Sequence, residues 1–201
     1  MCVIIFKPYG STLPENTLGQ CFEKNKDGAG FAFDVNGEIV SEKGYFDFEP
    51  FYDTVQQFTE FEGIVHCRIA TYGPVSKFFC HPFPVKGGYL FHNGSIPTLG
   101  SKANSDTYTL SLMLKFMSPK ARHSELTKLS KNNRNRFALI TKKGGIQFYG
   151  KWFEKDGLWF SNLHWEKNKK YTPQTNCWKC GAKNLKAKWM CPSCGTLLYQ
   201  F

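Results

Sequence analysis

The chain has 201 residues, 41% hydrophobic and 16% aromatic, enough to bury one good core and carry a small appended module. No apolar run approaches membrane-span length, and residues 2–6 lead straight into Lys7-Pro8-Tyr9-Gly10, too short for a signal-peptide core. The expectation is therefore a cytoplasmic protein, with no membrane association, whose eight cysteines are reduced, catalytic or metal-bound rather than disulfide-paired.

In chain order, residues 2–6 read as a buried strand. A Pro/Gly-rich loop follows, then a helix over 17–26, a turn at 27–30 and a strand over 31–35. Asn36-Gly37 is the strongest hairpin signal in the chain and joins that strand to 38–40. Phe51, Val55 and Phe58 stand at i, i+4 and i+7, predicting a helix over 51–61; residues 63–66 resume strand. A second amphipathic helix opens near Asp106, with Leu110, Met113, Leu114 and Met117 on one face. Ser118-Pro119 has the form of an N-cap and N1 pair starting another helix. Strands are expected over 137–141, 146–149 and 158–161, and strands, then helices, then strands imply an α+β arrangement rather than alternating βαβ units.

The net charge of +10 is uneven. Residues 1–114 carry 8 Lys/Arg against 12 Asp/Glu, 115–150 carry 9 against 1, and 151–201 carry 9 against 3. The basic half fits either nucleic acid, through counterion release, or ordinary solvated surface. The polar run 166–170, with Pro173 beyond it, marks a linker over 166–176 between a domain at 2–165 and a module at 177–201.

Cys2 follows the initiator methionine. It fits a small apolar residue of the first strand. It also fits a second role, because methionine removal ahead of a small residue leaves a thiol and a free α-amino group on one residue, nucleophile beside base. Further along come His66-Cys67-Arg68-Ile69-Ala70-Thr71-Tyr72-Gly73, then Cys80-His81-Pro82-Phe83, then His92-Asn93-Gly94-Ser95-Ile96, then Ser105-Asp106. In this order, behind an N-terminal cysteine, the runs resemble the class II glutamine amidotransferases, which are N-terminal-nucleophile hydrolases, over roughly residues 2–165. The resemblance implies a four-layer αββα sandwich and a stand-alone glutaminase-type domain that hydrolyses L-glutamine to glutamate and ammonia.

By that resemblance Cys2 would attack the glutamine side-chain amide, its α-amino group serving as base. Asn93, through its side-chain amide, and Gly94, through its backbone N–H, would form the oxyanion hole. Arg68 would grip the substrate α-carboxylate, Asp106 the α-ammonium, and Thr71 would add a hydroxyl. Taken separately, these three also fit a surface arginine, a strand threonine and a helix N-cap aspartate. His66, His81 and His92 invite a metal or acid–base reading as well as one in which they hold loop geometry. Ile69 and Tyr72 replace the Trp and His of the sugar-type members, closer to the shorter stand-alone ones. Ammonia would pass to an acceptor on a separate synthase subunit.

Cys177-Trp178-Lys179-Cys180-Gly181 and Cys191-Pro192-Ser193-Cys194-Gly195 are two CxxCG knuckles. Four thiolates so spaced suit one structural Zn2+ in a zinc ribbon that folds on metal binding, with no organic cofactor required. A thioredoxin-like redox pair and an iron site are the alternatives. Lys183, Lys186 and Lys188 beside Trp178 and Trp189 fit either nucleic acid or a protein partner. A catalytically silent scaffold whose binding is done by the ribbon is the alternative to the enzyme.

Overall fold

Val3, Ile4 and Ile5 are β-branched and Phe6 aromatic, so the chain opens on residues that favour a pleated, packed surface. In the computed structural model, which describes residues 1–142, 145–166, 180, 193 and 194, they form β1 (Val3–Lys7). The chain divides into two compact units, Met1–Glu166 and Lys167–Phe201; the elements below all belong to the first.

They follow as α1 (Glu15–Lys24), β2 (Ala29–Val35), β3 (Glu38–Tyr45), α2 (Phe48–Gln56) and β4 (Gly63–Cys67). After a single 3₁₀ turn come β5 (Phe83–Val85), β6 (Gly88–Asn93), α3 (Asp106–Lys115), α4 (Pro119–Ser130), β7 (Arg136–Thr141), β8 (Gly145–Tyr149), β9 (Phe153–Lys155) and β10 (Leu158–Phe160). The fold is mixed α+β. One antiparallel sheet has six strands in the order β3-β2-β4-β1-β10-β9, and the other has four, β5-β6-β7-β8.

Strand alternation decides where the core sits. Val3 and Ile5 of β1 point to one face and join Leu18, Phe22, Phe51 and Val55 of α1 and α2. Ile4 points to the other, where with Ala32 and Ile64 it meets Phe91, Ala138 and Ile140 of the four-stranded sheet. That sheet's remaining face, with Leu90, Phe137 and Leu139, is covered by Leu110, Leu114 and Leu126 of α3 and α4. Both faces of β1 and β4 are therefore buried, so every residue of Gly63–Cys67 is buried and polar alternation is missing from those strands.

The hairpin expected at Asn36-Gly37 forms with both residues at positive φ (55° and 89°), as a two-residue type I′ turn requires. Ser118 caps α4, its hydroxyl accepting the Ala121 N–H at 3.3 Å. Several expectations shift: the helix predicted over 17–26 runs Glu15–Lys24, the strand predicted over 38–40 extends to Tyr45, and β9 is an additional strand. The helix predicted over 51–61 runs Phe48–Gln56, and Phe58 lies beyond its end, stacking on Phe33 with ring centroids 5.0 Å apart and an interplanar angle of 7°. The hairpin β5–β6, turning between Val85 and Gly88, was not expected. No helix among the described residues is long and apolar enough to cross a membrane.

Candidate functional site around Cys2

The β1–β4 register places Val3 opposite Cys67; one step further, Cys2 lies against the chain leaving β4. Its sulfur accepts the Ile69 N–H and donates to the Ile69 carbonyl, both at 3.3 Å. Asn162 Nδ2 donates to the Cys2 carbonyl at 2.7 Å. Ser161, the residue after β10, accepts the Ile4 N–H at 2.9 Å. The start of the chain is thus fixed from both neighbouring strands. Burial raises the thiol's pKa; the Ile69 N–H, the N-terminal ammonium and Arg68 oppose that rise, and Asp106 adds to it.

Arg68 follows β4 directly and is only 3% exposed. Its Nη1 donates to the Pro74 carbonyl at 3.2 Å and its Nη2 to the Tyr72 carbonyl at 3.0 Å. The described residues hold two ion pairs, Lys142–Glu38 and Lys155–Glu166, so this guanidinium is buried outside any direct ion pair, with Asp106 the carboxylate of the same cavity. Such a charge is costly to keep. Arg68 shares a cavity with Cys2, Thr71, Gly94 and Asp106, residues brought from four separate segments of the chain.

Asp106 opens α3 and is 6% exposed. Its Oδ2 accepts the Ile96 N–H at 2.8 Å and its Oδ1 the Thr107 N–H at 2.7 Å, so the carboxylate also ties the loop after β6 to the helix. Oδ1 also has the Thr107 hydroxyl at 3.2 Å, so Oδ2 is the oxygen that keeps a lone pair for a further donor. Thr71 is exposed at the cavity's edge.

Gly94 has φ 151°. A Cβ there would stand 2.2 Å from Asn135 Oδ1 and 2.6 Å from the Arg134 carbonyl, so the close approach that demands glycine is made by the loop before β7. Asn93 is fully buried and does not line the cavity. Its Nδ2 donates to Ser161 Oγ at 2.9 Å, and its Oδ1 has no partner among the described residues. The oxyanion pair expected from sequence is therefore split in this structure: Gly94 lies on the cavity wall and the Asn93 amide is turned to Ser161.

The three histidines form a buried group. His66 and His81 stack with ring centroids 4.0 Å apart. His66 Nε2 lies 3.2 Å from the His92 carbonyl, which can only accept, so that nitrogen carries the proton. His92 Nε2 lies 3.0 Å from Asn135 Oδ1. Asn135 has its own orientation fixed, because Oδ1 accepts the Ser95 N–H at 3.0 Å and Nδ2 donates to the Leu129 carbonyl at 3.1 Å. His92 Nε2 must then donate, and Nδ1 lies 2.8 Å from Thr107 Oγ1, whose single hydroxyl proton has Asp106 Oδ1 at 3.2 Å as its other acceptor. Burial pushes His66 down to about 3. Burial, reinforced by His66, His92 and Arg68, takes His81 well below the ordinary imidazole range, and burial lowers His92 against the pull of Asp106. Neutral rings leave Arg68 as the cation of the cavity. No set of three metal-ligating side chains occurs among the described residues.

Asn135, Ser161, Asn162 and Thr107 escaped sequence reading. Each is a lone polar residue at an element's end, with no motif to mark it. Of the predicted zinc ligands, Cys177 and Cys191 lie outside the described residues, while Cys180 and Cys194 are exposed turn residues. The predicted linker falls outside them too, apart from Glu166. Comparison of the chain with protein-family models and with curated proteins finds no match.

Proposed function

We propose that the chain is a class II glutamine amidotransferase subunit that hydrolyses L-glutamine through an N-terminal Cys2 thioester and passes ammonia to an acceptor on a separate synthase. The observation that carries this reading is the buried guanidinium of Arg68, outside any direct ion pair, in one cavity with the Cys2 thiol and the Asp106 carboxylate. An amino-acid substrate would bring a partner for each group, its α-carboxylate to Arg68, its α-ammonium to the free lone pair of Asp106 Oδ2 and its amide to the thiol, in a cavity that widens from its present volume of about 20 Å3 to admit it. A helix-covered pair of facing antiparallel sheets is compatible with the four-layer αββα sandwich of N-terminal-nucleophile hydrolases.

Met1 is 58% exposed, so its removal leaves the core packing untouched. The new α-ammonium would then sit on Cys2 itself, closer to the sulfur, and lower the thiol's pKa further against burial. The thiolate would add to the side-chain amide carbon, forming C–S and a tetrahedral oxyanion, and the C–N bond breaks as that intermediate collapses to the thioester. The α-amino group returns the proton to the leaving nitrogen, and water then cleaves the thioester to give glutamate. The Gly94 N–H is the wall donor nearest this role; the Asn93 amide would have to exchange Ser161 for the developing oxyanion.

The C-terminal cysteines make up a soft S4 donor set of two CxxCG pairs, which fits tetrahedral zinc. Bound there, zinc would supply folding energy to a small module and take no part in amide chemistry. The basic ribbon would serve nucleic acid or the partner subunit.

Purified protein lacking Met1 should release glutamate from glutamine, Cys2→Ala should abolish that release, and Arg68→Ala should raise KM steeply. Glutamate release that survives Cys2→Ala would overturn the mechanism.

A further inference from the structure

A second, wider cleft of about 550 Å3 adjoins the thiol, in the size range of small-molecule sites. Cys2, Gly94 and Thr71 are shared between it and the Arg68 cavity. Its far wall comes from the end of α4 and the loop to β7: Lys128, Leu129, Asn132 and Arg134. No acidic or aromatic residue lines it. Lys128 and Arg134 are exposed and belong to neither ion pair of the described residues.

Neutral donors add to the two cations. Asn132 uses its Oδ1 to accept the Arg134 N–H at 3.0 Å, which leaves its Nδ2 available, and the hydroxyls of Ser95 and Thr71 hold no partner among the described residues. Cations with unused donors and no carboxylate are the chemistry of an anion site. The missing aromatics argue against a nucleic-acid strand, which would need stacking platforms.

We propose that this cleft binds a small organic anion, bearing phosphate or carboxylate groups, beside the Cys2 thiol. The binding of the anion does not rest on the glutaminase reading, and no chemical step is assigned to it.

The test uses the full chain, with inorganic pyrophosphate and citrate as probes. Each is titrated calorimetrically and as a protectant of Cys2 against iodoacetamide, read by mass spectrometry of the N-terminal peptide. Saturable protection of about tenfold is expected, with binding weakened about tenfold, or about 1.4 kcal/mol, in Lys128→Ala/Arg134→Ala. Preference for pyrophosphate or for citrate identifies the anionic group, and either supports the site. Binding that persists in Cys2→Ala upholds the site even if that protein and the wild type both fail to hydrolyse glutamine. Absence of protection, protection unchanged in the double variant, or a single-stranded oligonucleotide that binds Cys2's surroundings where both small anions fail would overturn it.

Discussion

Replacing Gly94 by alanine should unfold the site from the inside. The backbone at Gly94 has φ 151°, a region that a side chain enters at a cost of about 1–3 kcal/mol. The new Cβ would also stand 2.2 Å from Asn135 Oδ1, so the Asn135 side chain has to move. That oxygen accepts from His92 Nε2 and from the Ser95 N–H, each at 3.0 Å, and losing two such bonds costs about 1 kcal/mol apiece. With a mid-range strain the sum is about 4 kcal/mol, which in a domain of this size lowers Tm by roughly 8–16 °C. Differential scanning calorimetry of Gly94→Ala against wild type reads it directly. A fall of less than about 3 °C would mean that the loop before β7 gives way freely and that Asn135 is not the clamp described here.

Three further outcomes follow from the same geometry. His66 has its pKa depressed in the folded state, to about 3, so its contribution to stability is complete above the unfolded value near 6.5 and is lost as pH falls toward 3. Between pH 7 and pH 5 that single group should cost about 2 kcal/mol, visible as a lower denaturant midpoint; His81 and His92 act in the same direction, and equal midpoints at the two pH values would refute the assignment of neutral buried rings. Asp106→Asn should destabilise by about 1–3 kcal/mol, because one carboxylate oxygen facing a backbone N–H becomes an NH2; it should also raise the KM for glutamine, and an unchanged KM would remove Asp106 from the substrate clamp. Metal analysis of the full chain should give one zinc per chain, lost in Cys177→Ser/Cys191→Ser, and a metal-free wild-type chain would contradict the S4 site.

Much of the fold was legible because local chemistry and tertiary demands agree at those places. Asn36-Gly37 and Ser118-Pro119 state their structures outright, whereas of the apolar face expected for α3 Leu110 and Leu114 are buried, Met113 is exposed and Met117 lies beyond the helix end. The β5–β6 hairpin was missed because its strands, Phe83–Val85 and Gly88–Asn93, are short, and the second ends in polar residues whose chemistry drew attention away from their pleat. Helix α2 ended early because Phe58 packs on Phe31 and Phe33 from a turn, a contact that serves the core as well as another helical turn would.

In the site, residue types and order pointed to Cys2, Arg68, Thr71, Gly94 and Asp106, which the fold gathers at one cavity. Orientation was not legible. Whether Asn93 faces the cavity depends on Ser161, 68 residues away in sequence, and the glycine at 94 is demanded by Asn135 and the Arg134 carbonyl rather than by a ligand.

The central claim is that Cys2, freed of Met1, is the nucleophile for a glutamine side chain held by Arg68. Mass spectrometry of the chain after exposure to 6-diazo-5-oxo-norleucine tests it most directly. The account predicts a single adduct on an N-terminal Cys2 that lacks Met1, slowed by added glutamine and absent in Cys2→Ala and Arg68→Ala. Retained Met1, or an adduct that forms equally in Arg68→Ala and ignores glutamine, would contradict it.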